Sequence, residues 1–399
     1  MKKIFAFALS LTIFLNLQGQ QISEIISSDI EEAIPKVDRL LSAKKLDQYK
    51  LIGLGDPAVF AKESKILNFR ILAYLISRKN YRNVLLATDD WRVRPLNAYL
   101  SSPHPLNPTN LDSVFRSSIS EYMFYNQEFL TFLTWLEKFN ADNPDQMVRI
   151  FGVEQNTEIP PSYFLATYIF PIDAQYGRKL AQKWGDNDTS DSLAFLDIEA
   201  WFAEIVDSDI SETYRDLIKQ CKNDINHNRS FPNAPVNQKF TQKIIENSSK
   251  YVANQIIDKL DKKSVLVGGN AVVVKANIRS TIVAEDLPVS SVGNYLDKHL
   301  TDDYCAFVTD FVESAELYVI DIPNSQIVSQ EFTGNDYTKR LYTQGDHFDS
   351  KRDRTLLIEY RPIILPLVKD RSSTVSAEEE DPVIDLLFLL PNLTPSSML

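Results

Sequence analysis

The feature that most constrains the fold is an alternation of short apolar runs with longer amphipathic stretches, each run ending in glycine or an acid. Lys50–Leu54 reads as a buried strand that runs into Gly55-Asp56-Pro57. Beyond it, Leu67, Ile71, Leu72, Leu75 and Ile76 recur at three- and four-residue spacing, which predicts a helix over Lys62–Arg78. Val84–Ala87 is the next strand, ending in Thr88-Asp89-Asp90-Trp91. Asn126–Asn140 is again helical, with Phe129, Leu130, Leu133, Leu136 and Phe139 toward a core. Val148–Phe151 is a strand ending in Gly152-Val153-Glu154-Gln155.

This β-α-β-α order predicts an α/β fold: a mostly parallel sheet with helices on both faces. Right-handed crossovers then place every strand's C-terminal end at one edge. Asp56, Asp89, Asp90, Glu154 and Asn270 gather there, and open α/β sheets bind ligands at that edge. The middle of the chain changes character. Leu193, Leu196, Ile198, Trp201, Phe202 and Ile205 form one helical pattern, and Tyr214, Leu217, Ile218 and Cys221 form another. Asn226–Pro235, rich in Asn and Pro, reads as loop. The α/β pattern returns with a helix at Tyr251–Leu260 and a strand at Ser264–Val267, which turns at Gly268-Gly269-Asn270. Ala306–Val308, Leu317–Ile320, Leu356–Ile358 and Ile384–Leu390 are further strand candidates. The acidic stretch within Arg371–Pro382 reads as a solvated loop. The expected layout is a signal peptide over 1–20 and a helical lead-in over 21–48. The α/β domain then occupies 49–160 and 261–399, with a helical insertion over 161–260 capping the sheet's edge.

The first residues support export. Lys2 and Lys3 precede the apolar Ile4–Leu17, which is too short to span a bilayer well, and a polar Gln-Gly-Gln-Gln run follows. An uncleaved anchor is the other reading of the same residues. No later segment reads as a membrane span, so the mature chain is expected to be soluble, periplasmic or secreted. The net charge of −12 disfavours nucleic acid and anionic lipid as partners. Cys221 and Cys305 are the only cysteines; each reads as a small buried residue, with a pairing as the alternative. The four histidines, His104, His227, His299 and His347, show no metal-ligand spacing, and no cofactor motif is present.

Glycine is scarce, at 11 of 399 residues, so its positions are informative. Gly53, Gly55, Gly152, Gly268, Gly269 and Gly293 fall in or beside strand ends. Gly53-Leu54-Gly55-Asp56-Pro57-Ala58 fits a loose dinucleotide loop. Asp56 would direct negative charge at a pyrophosphate there, however, and Pro57 removes an N–H that a phosphate needs. Asp56 has two compatible readings: an N-cap with Pro57 at the first helical position, or a group in a ligand pocket. Asp56, Asp89 and Glu154, if they converge, could do acid/base work on their own. Otherwise they are solvated or paired to arginines, with Arg70 and Arg149 as candidates. Trp91, Tyr122, Phe124 and Tyr125 are either core or the floor of an apolar pocket.

Five segments together resemble the erythromycin esterase family: LIGLGDPAVFAKESKILNFRILAYLISRKNYRNVLLATDDW, NQEFLTFLTWLEKFNADNPDQMVRIFGVEQN, SVLVGGNAVVVK, SSVGNYLDKHLTDDYCAFVTDF and IDLLFLLPNLTPS. Their order and spacing agree from about Tyr49 to Ser396. The resemblance implies an α/β sheet with a helical insertion, and hydrolysis of an ester by water that a histidine and neighbouring glutamates activate. Carried over position by position, the family's first glutamate falls on Asp56 and its first histidine on Val59. The second glutamate falls near Thr88, with Asp89 adjacent. Two later histidines fall on Gly269 and Val272, while the asparagine between them survives as Asn270. An Arg-Asp pair falls on Asn247 and Ser248, and an arginine of the first helix persists as Arg70.

The framework positions therefore persist while the proton-handling positions do not. The expectation is an exported protein with a degenerate active site. It would bind a small apolar or amphiphilic molecule, or a protein partner, at a cleft formed by Val59, Arg70, Thr88, Asp90, Trp91, Gly269, Asn270 and Val272. The alternative is a carboxylate-only hydrolase using Asp56, Asp89 and Glu154.

Overall fold

The structure is a computed structural model. It describes residues 21–57, 61–101, 110–119, 123–154, 157–186, 190–208, 210–230, 242–275, 277–279, 288–321, 326–333 and 384–397. The expected signal peptide, Val59, Tyr122, His104, His347, the strand candidate Leu356–Ile358 and the stretch Arg371–Pro382 lie outside the described residues.

The chain divides into a sheet unit, Met1–Glu154 with Lys239–Leu399, and a helical unit, Gln155–Gln238. In the sheet unit, β1 (Leu51–Asp56), β2 (Asn83–Asp89), β3 (Arg149–Glu154), β4 (Ser264–Gly269) and β7 (Tyr304–Asp321) run in the order β3-β2-β4-β1-β7, and every neighbouring pair is parallel. Two short strands, β5 (Asn277–Arg279) and β6 (Pro288–Ser290), form a separate antiparallel pair. β7 outruns its neighbours. Its pairing with β1 ends at Val308, and it continues to Asp321 as one arm of an antiparallel pair with β8 (Gln326–Thr333). β9 (Leu386–Leu393) lies parallel to β7.

The sheet is buried on both faces, and residue parity sorts them. Ile52, Leu54, Val84, Leu86, Val265, Val267, Cys305 and Phe307 point into one core. That core is covered by α1 (Ile30–Leu41), α2 (Lys62–Lys79), α3 (Asp90–Leu100), α4 (Leu111–Ser118) and α5 (Gln127–Asp142). Leu51, Leu85, Leu266, Tyr304, Ala306 and Val308 point into the other, with α9 (Gln242–Ile257), α10 (Asn270–Val273) and α11 (Val292–Leu300). Both faces are covered, which explains strands that read as continuous apolar runs rather than alternating ones.

Local chemistry sets the helix ends. Asp29 caps α1 by accepting from Glu32 N–H at 2.8 Å, and Asn126 caps α5 by accepting from Phe129 N–H at 2.9 Å. α2 stops at Asn80, which adopts the left-handed conformation (φ 61°) and returns its N–H to the Leu75 carbonyl. α2 begins at Lys62 with Ala61 as N-cap, so Asp56 is the last residue of β1 and not the cap that its pairing with Pro57 suggested.

The helical unit contains Pro161–Ile172, whose middle turn Leu165–Ile169 is a π-helix, then α6 (Ala174–Asp186), α7 (Asp191–Val206) and α8 (Arg215–Ser230). Phe164, Tyr168, Ile198, Trp201, Cys221 and Ile225 form its interior. Two expectations shift here. α8 runs through Ser230, where a loop from Asn226 was read. The polar residues His227 and Asn228 are held instead by long-range bonds, His227 Nε2 to the Thr157 carbonyl at 2.9 Å and Asn228 to the Ile159 backbone at 2.8 and 2.9 Å. The helix expected from Tyr251 starts at Gln242 and packs with the sheet unit, so the helical unit ends before residue 260.

Candidate functional site

Strand order and register decide which polar groups meet. Along the C-terminal edge the strands end, in spatial order, at Glu154, Asp89, Gly269 and Asp56. Asp89 is in register with Glu154, and Asp56 with Gly269. β4 stands between β2 and β1, so the backbones of Asp56 and Asp89 are two strand spacings apart, roughly 10 Å. The register thus groups Asp89 with Glu154 and sets Asp56 two strands away.

Asp56 is 4% exposed and fully engaged. Its Oδ2 lies 3.2 Å from Lys65 Nζ, and its Oδ1 accepts from Asn68 Nδ2 at 2.8 Å. Lys65, itself 1% exposed, and Asn68 stand one turn apart on the face of α2 that meets β1. The network continues: Asn68 also donates to the Gly55 carbonyl (3.2 Å), Thr309 Oγ1 donates to Asn68 Oδ1 (3.3 Å), and Asn270 Nδ2 donates to the Thr309 carbonyl (2.8 Å). Asp56 and Asn270 are therefore linked through α2 and β7. A buried ion pair of this kind is close to neutral for stability, but removing one partner strands a charge.

Asn270 Oδ1 is buried with no hydrogen-bond donor among the described residues. Its place is explained by Gly55: a Cβ there would stand 2.5 Å from this oxygen and 2.7 Å from Val273 Cγ2. The bare Cα–H of Gly55 faces the oxygen and offers it a weak contact. That is why glycine stands at 55, one residue before the end of β1: α10 lies directly on the strand.

The β2/β3 side is different. Asp89, fully buried, has Arg92 Nε 3.7 Å from its Oδ2, and the Arg92 guanidinium sits 4.3 Å from the centre of the Trp91 ring. Asp90, at the start of α3, takes Arg94 Nε at 2.8 Å. A Cβ at Gly152 would lie 2.5 Å from Asp90 N and Cα, so glycine lets the first turn of α3 rest on β3. Asp90, Trp91, Arg92, Arg94 and Glu154 are all half-buried, whereas Thr88 is buried. Between the two sides, Gly269 is half-exposed with ordinary room for a side chain: a Cβ would meet Met123 Cε at 3.6 Å. Val272 is half-exposed above Gly268.

Several expected members lie elsewhere. Arg70 donates from Nε and Nη2 to the Ser28 carbonyl at 3.2 and 2.9 Å. It follows Lys65 by five residues, about 140° around the helix, so it faces α1's lead-in and not the edge. Arg149 opens β3 and so stands at the opposite edge from the carboxylates. Phe124 and Tyr125 belong to the aromatic core, their rings 5.3 Å from Phe129 and 5.8 Å from Phe115. Asn247 and Ser248 are exposed on α9. Among the described residues there are two histidines. His227 belongs to the helical unit, and His299 is exposed in the last turn of α11, just before β7 begins. Cys221 and Cys305 are free thiols, and burial pushes both pKa values up. Among the described residues no three His, Cys, Asp or Glu side chains cluster as metal ligands would, and no helix is long and apolar enough to cross a membrane.

Sequence reasoning missed Lys65, Asn68, Thr309, Met123 and the two arginines of α3. Lys65 carried a signal: it heads the stripe Lys65, Phe69, Leu72, Ile76, which is otherwise apolar.

No family model matches the chain, and no curated protein does. Among solved structures, a protein from Bacillus cereus is similar at 14% identity, over 96% of this chain and 99% of its own, with a TM-score of 0.57. A protein described as a succinoglycan biosynthesis protein is similar at 12% identity, over 96% and 99%, with a TM-score of 0.58. An erythromycin esterase mutant in its open conformation aligns over 73% of this chain and 79% of its own, at 15% identity and a TM-score of 0.49. The first two share the fold across nearly the whole length of the chain.

Proposed function

We propose that this is an exported relative of the erythromycin esterases whose hydrolytic centre has lapsed, and that it binds a small amphiphilic molecule at the C-terminal edge of its sheet. The observation that carries the reading is the state of Asp56. The carboxylate that the resemblance assigns to water activation is buried and turned to Lys65 and Asn68, one partner on each oxygen. Gly269, where the resemblance places an imidazole, has no side chain to take over that role. The accessible groups suit binding. Met123, Gly269 and Val272 form an apolar half, and Trp91 with the Asp90–Arg94 pair a polar one. A ligand with one apolar and one hydrogen-bonding end matches that division; a protein side chain presenting the same chemistry is the other occupant.

The purified mature chain, assayed with p-nitrophenyl esters and a macrolide lactone, is expected to hydrolyse neither above buffer. Turnover that disappears in Asp56→Asn would refute the lapsed centre. Nile red is expected to bind with a fluorescence rise that Val272→Asp weakens at least about fivefold, roughly 1 kcal/mol; unchanged binding would place the ligand elsewhere.

A further inference from the structure

The end of the chain closes over the starts of two helices of the sheet unit. Lys62 N–H, at the start of α2, donates to the Thr394 carbonyl at 2.9 Å, and Gln127 N–H, at the start of α5, donates to the Ser397 carbonyl at 2.9 Å. Thr394 donates its N–H and its hydroxyl to the Glu63 carboxylate at 2.6 and 2.5 Å. Ser397 N–H donates to Glu128 Oε1 at 3.3 Å, and Ala61 bridges to Pro395. The first N–H groups of any helix lack partners within it, and here the chain's last described residues supply acceptors. Two groups oppose this docking. Among the described residues, the hydroxyl of Ser396, 2% exposed, has no hydrogen-bond partner, and buried Glu128 Oε2 has no donor. Burying an unpaired hydroxyl and a half-satisfied carboxylate works against the closed state.

We propose that Thr394–Ser397 is a releasable latch, closed in this structure, that opens locally without unfolding the sheet. When closed it fixes the starts of α2 and α5. Asn126, which precedes α5, donates to the Met123 carbonyl at 2.9 Å, so the latch also sets where Met123 stands beside Gly269. Only this last consequence rests on the proposed binding edge; the latch itself does not.

Native-state hydrogen exchange on the full chain tests it. The Lys62 and Gln127 amides are expected to exchange at least about tenfold faster than the β4 amides of Val265 and Val267, through local opening. Thr394→Val, which loses the hydroxyl bond to Glu63, is expected to speed Lys62 exchange several-fold. Ser396→Ala, which removes the unpaired hydroxyl, is expected to slow both amides. Exchange in step with β4 in the unsubstituted chain, no response to Thr394→Val, or acceleration by Ser396→Ala would each overturn the latch.

Discussion

The two halves of the sheet's edge each carry a buried carboxylate at a strand end, Asp56 and Asp89, and differ in what surrounds it. On the β1/β7 side Lys65, Asp56, Asn68, Thr309 and Asn270 form a buried chain of hydrogen bonds with almost no solvent exposure. On the β2/β3 side Asp90, Trp91, Arg92 and Arg94 stay half-exposed and hold each other at the surface. What separates them is the residue that the neighbouring helix offers. α2 presents a lysine and an asparagine into the sheet, so its acid became core. α3 presents arginines along its own surface, so Asp90 in its first turn stays half-exposed against Arg94 while Asp89 behind it is buried. The first half is sealed and the second stays open to solvent.

The largest effect should come from cutting the buried chain of hydrogen bonds. Lys65→Met leaves Asp56 buried and unpaired, and should cost about 3–5 kcal/mol in denaturant unfolding. Adding Asp56→Asn to it should recover most of that loss. A cost below about 1 kcal/mol for Lys65→Met would show that water reaches Asp56 and would erase the contrast. Gly55→Ala drives a methyl into Asn270 Oδ1 and Val273, with an expected loss of about 1–3 kcal/mol in the same measurement.

A second buried lysine sharpens the comparison from the sheet's other face. Burial alone would lower the pKa of Lys275, but Asp385 at 2.9 Å and Asp297 at 3.4 Å outweigh it, and the net shift is upward. With the folded value raised, the pair's contribution is complete below the ordinary lysine range near ~10.4 and is lost as pH climbs through the folded value. Melting temperature should therefore fall at strongly alkaline pH, and less steeply in Lys275→Met. The smallest effect is expected on the open half. Arg94→Ala, at a pair one-quarter exposed, should change stability by less than about 1 kcal/mol while weakening ligand binding. Stability lost there on the scale of Lys65→Met would make both halves structural.

The sheet and its flanking helices were legible because periodicity is a local property: apolar runs of strand length and the stripe from Leu67 to Ile76 need no partner to be read. The gathering of Asp56, Asp89, Glu154 and Asn270 at one edge followed from chain direction alone. What could not be read was pairing. Strand order puts β4 between Asp56 and Asp89, and no local pattern encodes that. Arg70 looked like a partner because of its charge, yet its angle around α2 sends it to Ser28. Asn226–Ser230 looked like loop by composition and is helix because Thr157 and Ile159 hold its side chains.

The lysine beneath Asp56 also shapes what descendants of this chain can become. Position 269 has room for a Cβ, which would meet Met123 Cε at 3.6 Å. A side chain installed there would find the neighbouring Asp56 carboxylate already committed to Lys65 and Asn68. Removing Lys65 first strands a charge in the interior before any benefit arrives. Freeing Asp56 for any other partner would need coordinated replacements at 65 and 68, a route with a stability valley in its middle.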